Sequence, residues 1–130
     1  MFNPRILPGE VITNRQLMST FRCACEGGIR YSSRTDTIVL VINNTQSGRP
    51  NIWKDGILEF AGQITKNGET LQGANRRLEE FLRENGDIFL FEVNEPRKYE
   101  FKGRVQQAGE IRFATTPQGG TYPVFPVKVG

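Results

Sequence analysis

The feature that most constrains this chain is the run Thr37-Ile38-Val39-Leu40-Val41-Ile42. It is continuous, apolar and mostly β-branched, which predicts a strand. A strand with one wet face alternates apolar and polar residues. This one does not alternate, so it should be central and buried on both faces. It ends at Asn43-Asn44-Thr45, and a turn-forming loop follows through Gln46-Ser47-Gly48-Arg49-Pro50-Asn51.

The other elements are arranged around that strand. Pro8-Gly9-Glu10-Val11-Ile12-Thr13 reads as a turn leading into a short strand. Asn14 suits a helix N-cap, and Leu17 and Phe21 then share one face of a short helix. Residues 22–36 are rich in Gly, Ser, Thr and Arg and read as an ordered loop. Ile52-Trp53-Lys54-Asp55-Gly56 returns the chain toward the core, and Ile57 to Gly62 forms a strand. Asn67-Gly68 marks a turn. Over 71–84, Leu71, Ala74, Leu78, Phe81 and Leu82 make one apolar helical stripe, with Arg76, Arg77, Glu79, Glu80 and Arg83 outward. Asn85-Gly86 stops that helix.

Strands follow at Ile88 to Val93, Tyr99 to Val105 and Glu110 to Ala114, then a turn over 116–120. A closing strand runs from Tyr122 to Val129, where Pro123 and Pro126 point to a sheet edge. The expectation is an α+β fold of about six strands and two helices around a curved or barrel-like sheet. Helices separate the strands too seldom for a βαβ fold. At 130 residues the chain is expected to form one domain, 1–130.

Composition then narrows the function. A hydrophobic fraction of 37%, with nine Phe, supplies one core without staples. The net charge of +3 and pI of about 9.1 permit contact with a phosphate backbone without requiring it. There is no His, which removes Ser-His-Asp and Cys-His nucleophile systems, His-dependent metal nucleases and His-ligated zinc. Cys23 and Cys25 are too close for an ordinary disulfide and make only half a zinc site; they read as small, partly buried thiols in a reducing compartment. No metal, no cofactor and no enzymatic activity are expected. The polar N-terminus lacks the apolar core of a signal peptide, and no run approaches a membrane span. A cytoplasmic protein is expected.

Three polar segments carry candidate chemistry. In the first, Arg30, Tyr31, Ser32, Ser33 and Arg34 follow Gly27-Gly28; guanidinium forks, hydroxyls and exposed N–H groups grip anionic oxygen. The plain alternative is a solvated loop. In the second, Asn43, Asn44 and Asn51 offer amides that donate and accept on a base edge, and Trp53 offers a ring. A single Trp in a small chain is more often core, and Trp53 is expected as a structural pin at a pocket wall. In the third, Phe60, Gly62 and Gln63 end a strand where a glycine permits close approach.

Taken in order, these segments resemble the SRA-like (SET and RING-associated) domain of McrA-type HNH restriction endonucleases, a PUA-related class. The pattern runs through Pro8-Gly9-Glu10, Gly27 to Ser32, Thr37 to Ile42, Trp53-Lys54-Asp55-Gly56, Ile57 to Gly62, Asn75-Arg76-Arg77-Leu78, Ile88 to Val93 and Tyr99 to Val105. It covers the chain from about Pro8 to Val129. The resemblance implies a curved barrel that binds double-stranded DNA and flips 5-methylcytosine, 5-hydroxymethylcytosine or a related base into a pocket. It also implies that cleavage belongs to a separate nuclease domain or subunit, leaving this chain a reader for a restriction system.

By the same resemblance, Phe60-Ala61-Gly62 stands where the family has Tyr-Thr-Gly, keeping the ring and losing the hydroxyl. Arg49-Pro50-Asn51 stands where the family has Tyr-Asp-Asp. Arg49 then stacks by its guanidinium plane and Asn51 replaces the acid at the cytosine edge. One methyl group in an apolar niche is worth about 10–200-fold in discrimination. Two other outcomes remain open from the sequence: a PUA-like module for RNA, and a protein-interaction module that has lost the base pocket.

Overall fold

The computed structural model describes residues 2–46, 51–65 and 68–130. Among these residues the order is β1 (Val11–Ile12), α1 (Asn14–Phe21), β2 (Ile29–Ser32), β3 (Thr37–Asn43), β4 (Ile52–Lys54) and β5 (Ile57–Ala61). It continues with α2 (Gly73–Arg83), β6 (Asp87–Glu95), β7 (Lys98–Gln107), β8 (Arg112–Thr115) and β9 (Thr121–Val129). The strands form one curved, unclosed mixed sheet in the order β2-β3-β6-β7-β9-β5-β4; β1 pairs with β7, and β8 with β9. The fold is α+β, as expected, with nine strands rather than about six. None of the described helices is long and apolar enough to cross a membrane.

β3 is central, between β2 and β6, and is buried from Thr37 to Ile42. Its pairing with β6 is parallel, Thr37 facing Asp87 and Asn43 facing Val93, and the crossover between them carries β4, β5 and α2. Alternation along this pair feeds two cores. Ile38, Leu40, Ile42, Ile88 and Leu90 pack inside the curve with Leu58, Phe60, Phe125 and Val127, under Leu78 and Leu82 of α2. Val39, Val41, Phe89, Phe91 and Val93 pack on the other face with Phe101, under Leu17 and Phe21 of α1. The stripe read on α2 is confirmed: Leu71, Ala74 and Phe81 join Leu78 and Leu82 in the first core.

One bulge lets β7 serve both halves. Leu90 faces Gly103 and Phe91 faces Phe101, so Lys102 is the extra residue. Phe101 therefore joins the second core and Val105 the first, although simple alternation would put them on one face. Gly103 takes φ +122° at this kink, and a Cβ there would stand 3.0 Å from Val129.

Several local expectations are corrected. Residues 29–32 are a strand, not loop, because β2 pairs along β3 from Ile29–Leu40 to Ser32–Thr37. Thr13, not Asn14, caps α1, in a reciprocal capping box with Gln16. Trp53 is no core pin. β4 is an edge strand with all three residues exposed, Trp53 at 37%. Cys23 is half-buried, but Cys25 is exposed. The turn assigned to Asn67-Gly68 and the loop over 46–51 fall partly outside the described residues, and Arg49 lies wholly outside them.

β9 is interior rather than an edge: β5 lies on one side, and β7 then β8 on the other. Its prolines are tolerated because a strand residue points its N and O to the same side. The Pro123 carbonyl accepts from Gly62 N (2.8 Å), just beyond the last β5 rung at Ala61–Val124. The Pro126 carbonyl accepts from Ala108 N (2.8 Å), in the gap between β7 and β8. Each proline N thus points away from the strand it is registered with, β8 at Phe113 for Pro123 and β5 at Glu59 for Pro126, so neither of those ladders loses a rung.

Phe91 is fully buried, with ring centroids 5.7 Å from Phe21 and 5.1 Å from Phe101. Phe91→Ala is expected to cost about 3–5 kcal/mol in urea unfolding. Trp53→Ala, at its exposed edge, is expected to stay within about 0.5 kcal/mol of the parent. A large loss at Trp53 would contradict the edge placement.

Candidate functional site

The sheet curves without closing, and the start of β2, one edge, approaches β5, the strand next to the other edge. A Cβ on Gly28 would lie 3.7 Å from the Phe60 ring. Beside this seam opens a cleft of about 620 Å³. Its walls come from Cys25 to Gly28 and Arg30 ahead of and on β2, Val41 and Asn43 at the end of β3, and Phe60 and Ala61 at the end of β5. Gln46, Asn51 and Tyr99 complete it.

Arg30 is the internal strut of this wall. It is only 4% exposed. Its Nε donates to Gly27 O (2.9 Å), and its Nη1 donates to Asn14 Oδ1 (2.7 Å) and Ala24 O (3.4 Å). Its guanidinium lies 5.8 Å from the Tyr99 ring centre. Asn14 in turn donates through Nδ2 to Cys25 O (2.9 Å). The segment 24–28 is thus tied to α1 and β2 by a buried cation. Desolvation is costly for such a group unless its donors are satisfied, and here they are aimed at carbonyls and an amide. Burial pushes the neighbouring Cys23 thiol above its ordinary value, with Arg30 pulling the other way.

Asn51 and Asn43 are both fixed by their oxygens. Asn51 Oδ1 accepts from Ala61 N (3.0 Å), holding the stretch before β4 against the end of β5. Asn43 Oδ1 accepts from Thr45 N (3.0 Å) and from the Thr45 hydroxyl. Since a backbone N–H can only donate, both amide orientations follow from chemistry. Phe60 forms the cleft floor but is only 2% exposed, so it is not an open stacking wall.

Of the residues singled out in the sequence, the fold brings Arg30, Asn43, Asn51 and Phe60 to the cleft and leaves others away from it. Tyr31 points to the opposite face, where Arg77 lies 4.0 Å over its ring and Phe81 meets it edge-on. Ser32 is buried and accepts from Thr35 N; Ser33 and Arg34 are exposed at the far end of β2. Asn44 Nδ2 donates to Glu92 and Asn94. Trp53 does not line the cleft.

Gly62 is a packing position: a Cβ would come within 2.6 Å of Asn75 Oδ1 and 2.9 Å of Phe125 and Pro123. Gln63 is held through its backbone, its N–H donating to Asn75 Oδ1 and its carbonyl accepting from Asn75 Nδ2, both at 2.8 Å. Sequence reasoning missed Tyr99, Cys25, Glu26 and Gln46 as wall residues. The only local signal was the Gly27-Gly28 break, which frees the backbone to form a rim. Among the described residues, no cluster of His, Cys, Asp or Glu could hold a metal ion.

No family model matches the chain, and no curated protein does. Solved structures do. The SRA domain of SUVH5 with hemimethylated CG DNA superposes with a TM-score of 0.76 at 17% identity, covering 99% of this chain and 91% of that one. The same domain bound to fully hydroxymethylated CG DNA gives 0.73 at 15% identity, covering 98% and 91%. The sulfur-binding and SRA domains of ScoMcrA, complexed with phosphorothioated DNA, give 0.72 at 11% identity, covering 96% of this chain and 40% of that one. The DNA modification-dependent restriction endonuclease AspBHI gives 0.65 at 17% identity, covering 88% and 37%. This chain therefore has the fold of an SRA domain, and it spans less than half of the ScoMcrA and AspBHI chains.

Arg30→Met should lose about 1–3 kcal/mol of stability for the buried partners left unpaired, read by urea unfolding. An unchanged midpoint would mean that the guanidinium is not a strut. Iodoacetamide should label exposed Cys25 ahead of Cys23. The folded state favours the neutral Cys23 thiol, so that contribution holds at neutral pH and fades as pH rises through the alkaline thiol range. Cys23 labelling should accelerate only at the alkaline end.

Proposed function

We propose that this chain binds double-stranded DNA containing modified cytosine and takes the modified base, flipped from the helix, into the cleft between β2, β3 and β5. The observation that carries this reading is the cleft itself. At about 620 Å³ it falls within the range of about 300–1,000 Å³ typical of small-ligand sites, and it opens at the mouth of a curved sheet. The SRA domains that share the fold are in complexes with methylated and hydroxymethylated DNA, and ScoMcrA with phosphorothioated DNA.

In this reading Phe60 floors the pocket, Asn51 and Asn43 meet the base edge, and Arg30 holds the wall segment 24–28 in place. Flipping costs a few kcal/mol, which pocket contacts offset. Backbone contacts come from exposed cations and hydroxyls. Ser33 and Arg34 lie on the β2–β3 turn away from the cleft, so they serve only if the duplex extends that far. Asn44, Trp53, Gly62 and Gln63 are not needed at the base edge, and Tyr31 and Ser32 serve the interior. The chain acts as a reader in the cytoplasm, with any cleavage supplied by a nuclease domain or subunit. With no histidine, the sequence itself cannot supply His-dependent nuclease chemistry such as that of an HNH site.

The test is a titration at one fixed, moderate salt concentration, because phosphate contacts dominate affinity. Matched duplexes carry cytosine, 5-methylcytosine, 5-hydroxymethylcytosine or glucosylated hydroxymethylcytosine, with an RNA duplex as competitor. One modified duplex should bind about 10–200-fold tighter than the plain one. Equal binding to all the DNAs would overturn the proposal, and preference for RNA would replace it with a PUA-like RNA module.

A further inference from the structure

The cleft has an unusual balance of hydrogen-bonding groups. Asn51 and Asn43 both line it, and both have their amide oxygens engaged, Asn51 by Ala61 N and Asn43 by Thr45. Asn43 Oδ1 already accepts twice and Asn51 Oδ1 once, so the wholly unengaged group that each brings to a ligand is its NH2, which can only donate. The rim adds to this bias. The carbonyls of Ala24, Cys25, Gly27 and Gly28 each already accept a hydrogen bond, from Arg30, Asn14, Arg30 and Val41 N respectively. Among the described wall residues the other side-chain acceptors are Glu26 and Gln46, both exposed at the rim, and the Tyr99 hydroxyl.

We propose that this pocket reads the acceptor side of the pyrimidine ring, with the Asn51 and Asn43 amides donating to N3 and O2 and the 4-amino group left unread. The inference rests on the proposed base-binding function. A carboxylate at position 51 would do the reverse, accepting from the 4-amino group and repelling N3 and O2. Unmodified and modified cytosine share this acceptor pair, so Asn51 selects pyrimidine type, and discrimination of the modification falls to the apolar floor around Phe60 and Val41.

Two experiments test it. The first uses duplexes in which the target base stands opposite an abasic site, so that no Watson–Crick pairing is lost on flipping. Four bases are compared: cytosine, 5-methylcytosine, 5-methyl-2-pyrimidinone (which keeps N3 and O2 but lacks the amino group) and thymine, whose N3 carries a proton. The pyrimidinone should bind within about threefold of 5-methylcytosine, and thymine should bind at least about tenfold more weakly. Rejection of the pyrimidinone by tenfold or more would overturn the inference.

The second experiment uses Asn51→Asp, which keeps an oxygen for Ala61 N and so should fold as the parent does, checked by its urea midpoint. It should bind 5-methylcytosine at least about tenfold more weakly. Equal or tighter binding would overturn the inference. If 5-methylcytosine binds no better than cytosine, the base-reader function fails and this inference fails with it. If it binds better but the pyrimidinone is rejected, only the inference fails.

Discussion

The parallel pairing of β3 with β6 is the constraint on which the rest of the molecule depends. Both strands are apolar on both faces, so each face must be covered, and the chain covers them with different material. One side receives α2 and the inward residues of β5 and β9. The other receives α1 and an aromatic cluster around Phe21, Phe89, Phe91 and Phe101. Nonpolar burial at about 25 cal/mol per Å² makes this two-sided packing the main source of stability. The same pairing fixes where β3 ends, and therefore where Val41 and Asn43 meet the cleft.

The cleft follows from incomplete closure. A barrel that closed fully would pair its edges and leave no mouth at the seam. Here the β2 side and the β5 side come together at Gly28 and Phe60, and the wall between them is built from a buried arginine and two amides. Arg30 organises main-chain carbonyls by donating to them, and the asparagines organise main-chain N–H groups by accepting from them. The polar interior is thus structural first, and what remains unpaired on its inner surface sets the chemistry a ligand would meet.

Much of the fold was legible in the residues. β3 was plain because nothing polar interrupts it, and α2 was plain because its stripe keeps a helical spacing from Ala74 to Leu82. β2 was not legible, since its outward residues Arg30 and Ser32 are polar yet buried, satisfied by partners far away in sequence or in the next turn. The interior place of β9 was hidden for a similar reason: whether a proline N–H would be missed depends on which neighbouring strand the proline N faces. Trp53 misled because an aromatic residue is usually core, but its strand is three residues long and ends the sheet. Of the cleft-lining residues, Arg30, Asn43, Asn51 and Phe60 were already singled out from their polar segments. Tyr99 was missed because its wall position depends on Arg30 crossing to it from another strand.

The central claim is that modified DNA occupies this particular cleft, and Cys25 offers a direct probe of it. Cys25 is exposed in the cleft wall, whereas half-buried Cys23 does not line it and reports on the fold. Alkylation of both thiols would be followed by mass spectrometry, for the free protein and with saturating modified or plain duplex. The account predicts that the modified duplex slows Cys25 labelling strongly, that the plain duplex does so much less, and that Cys23 is unchanged. Cys25 labelled at its free rate while modified DNA is fully bound would contradict it.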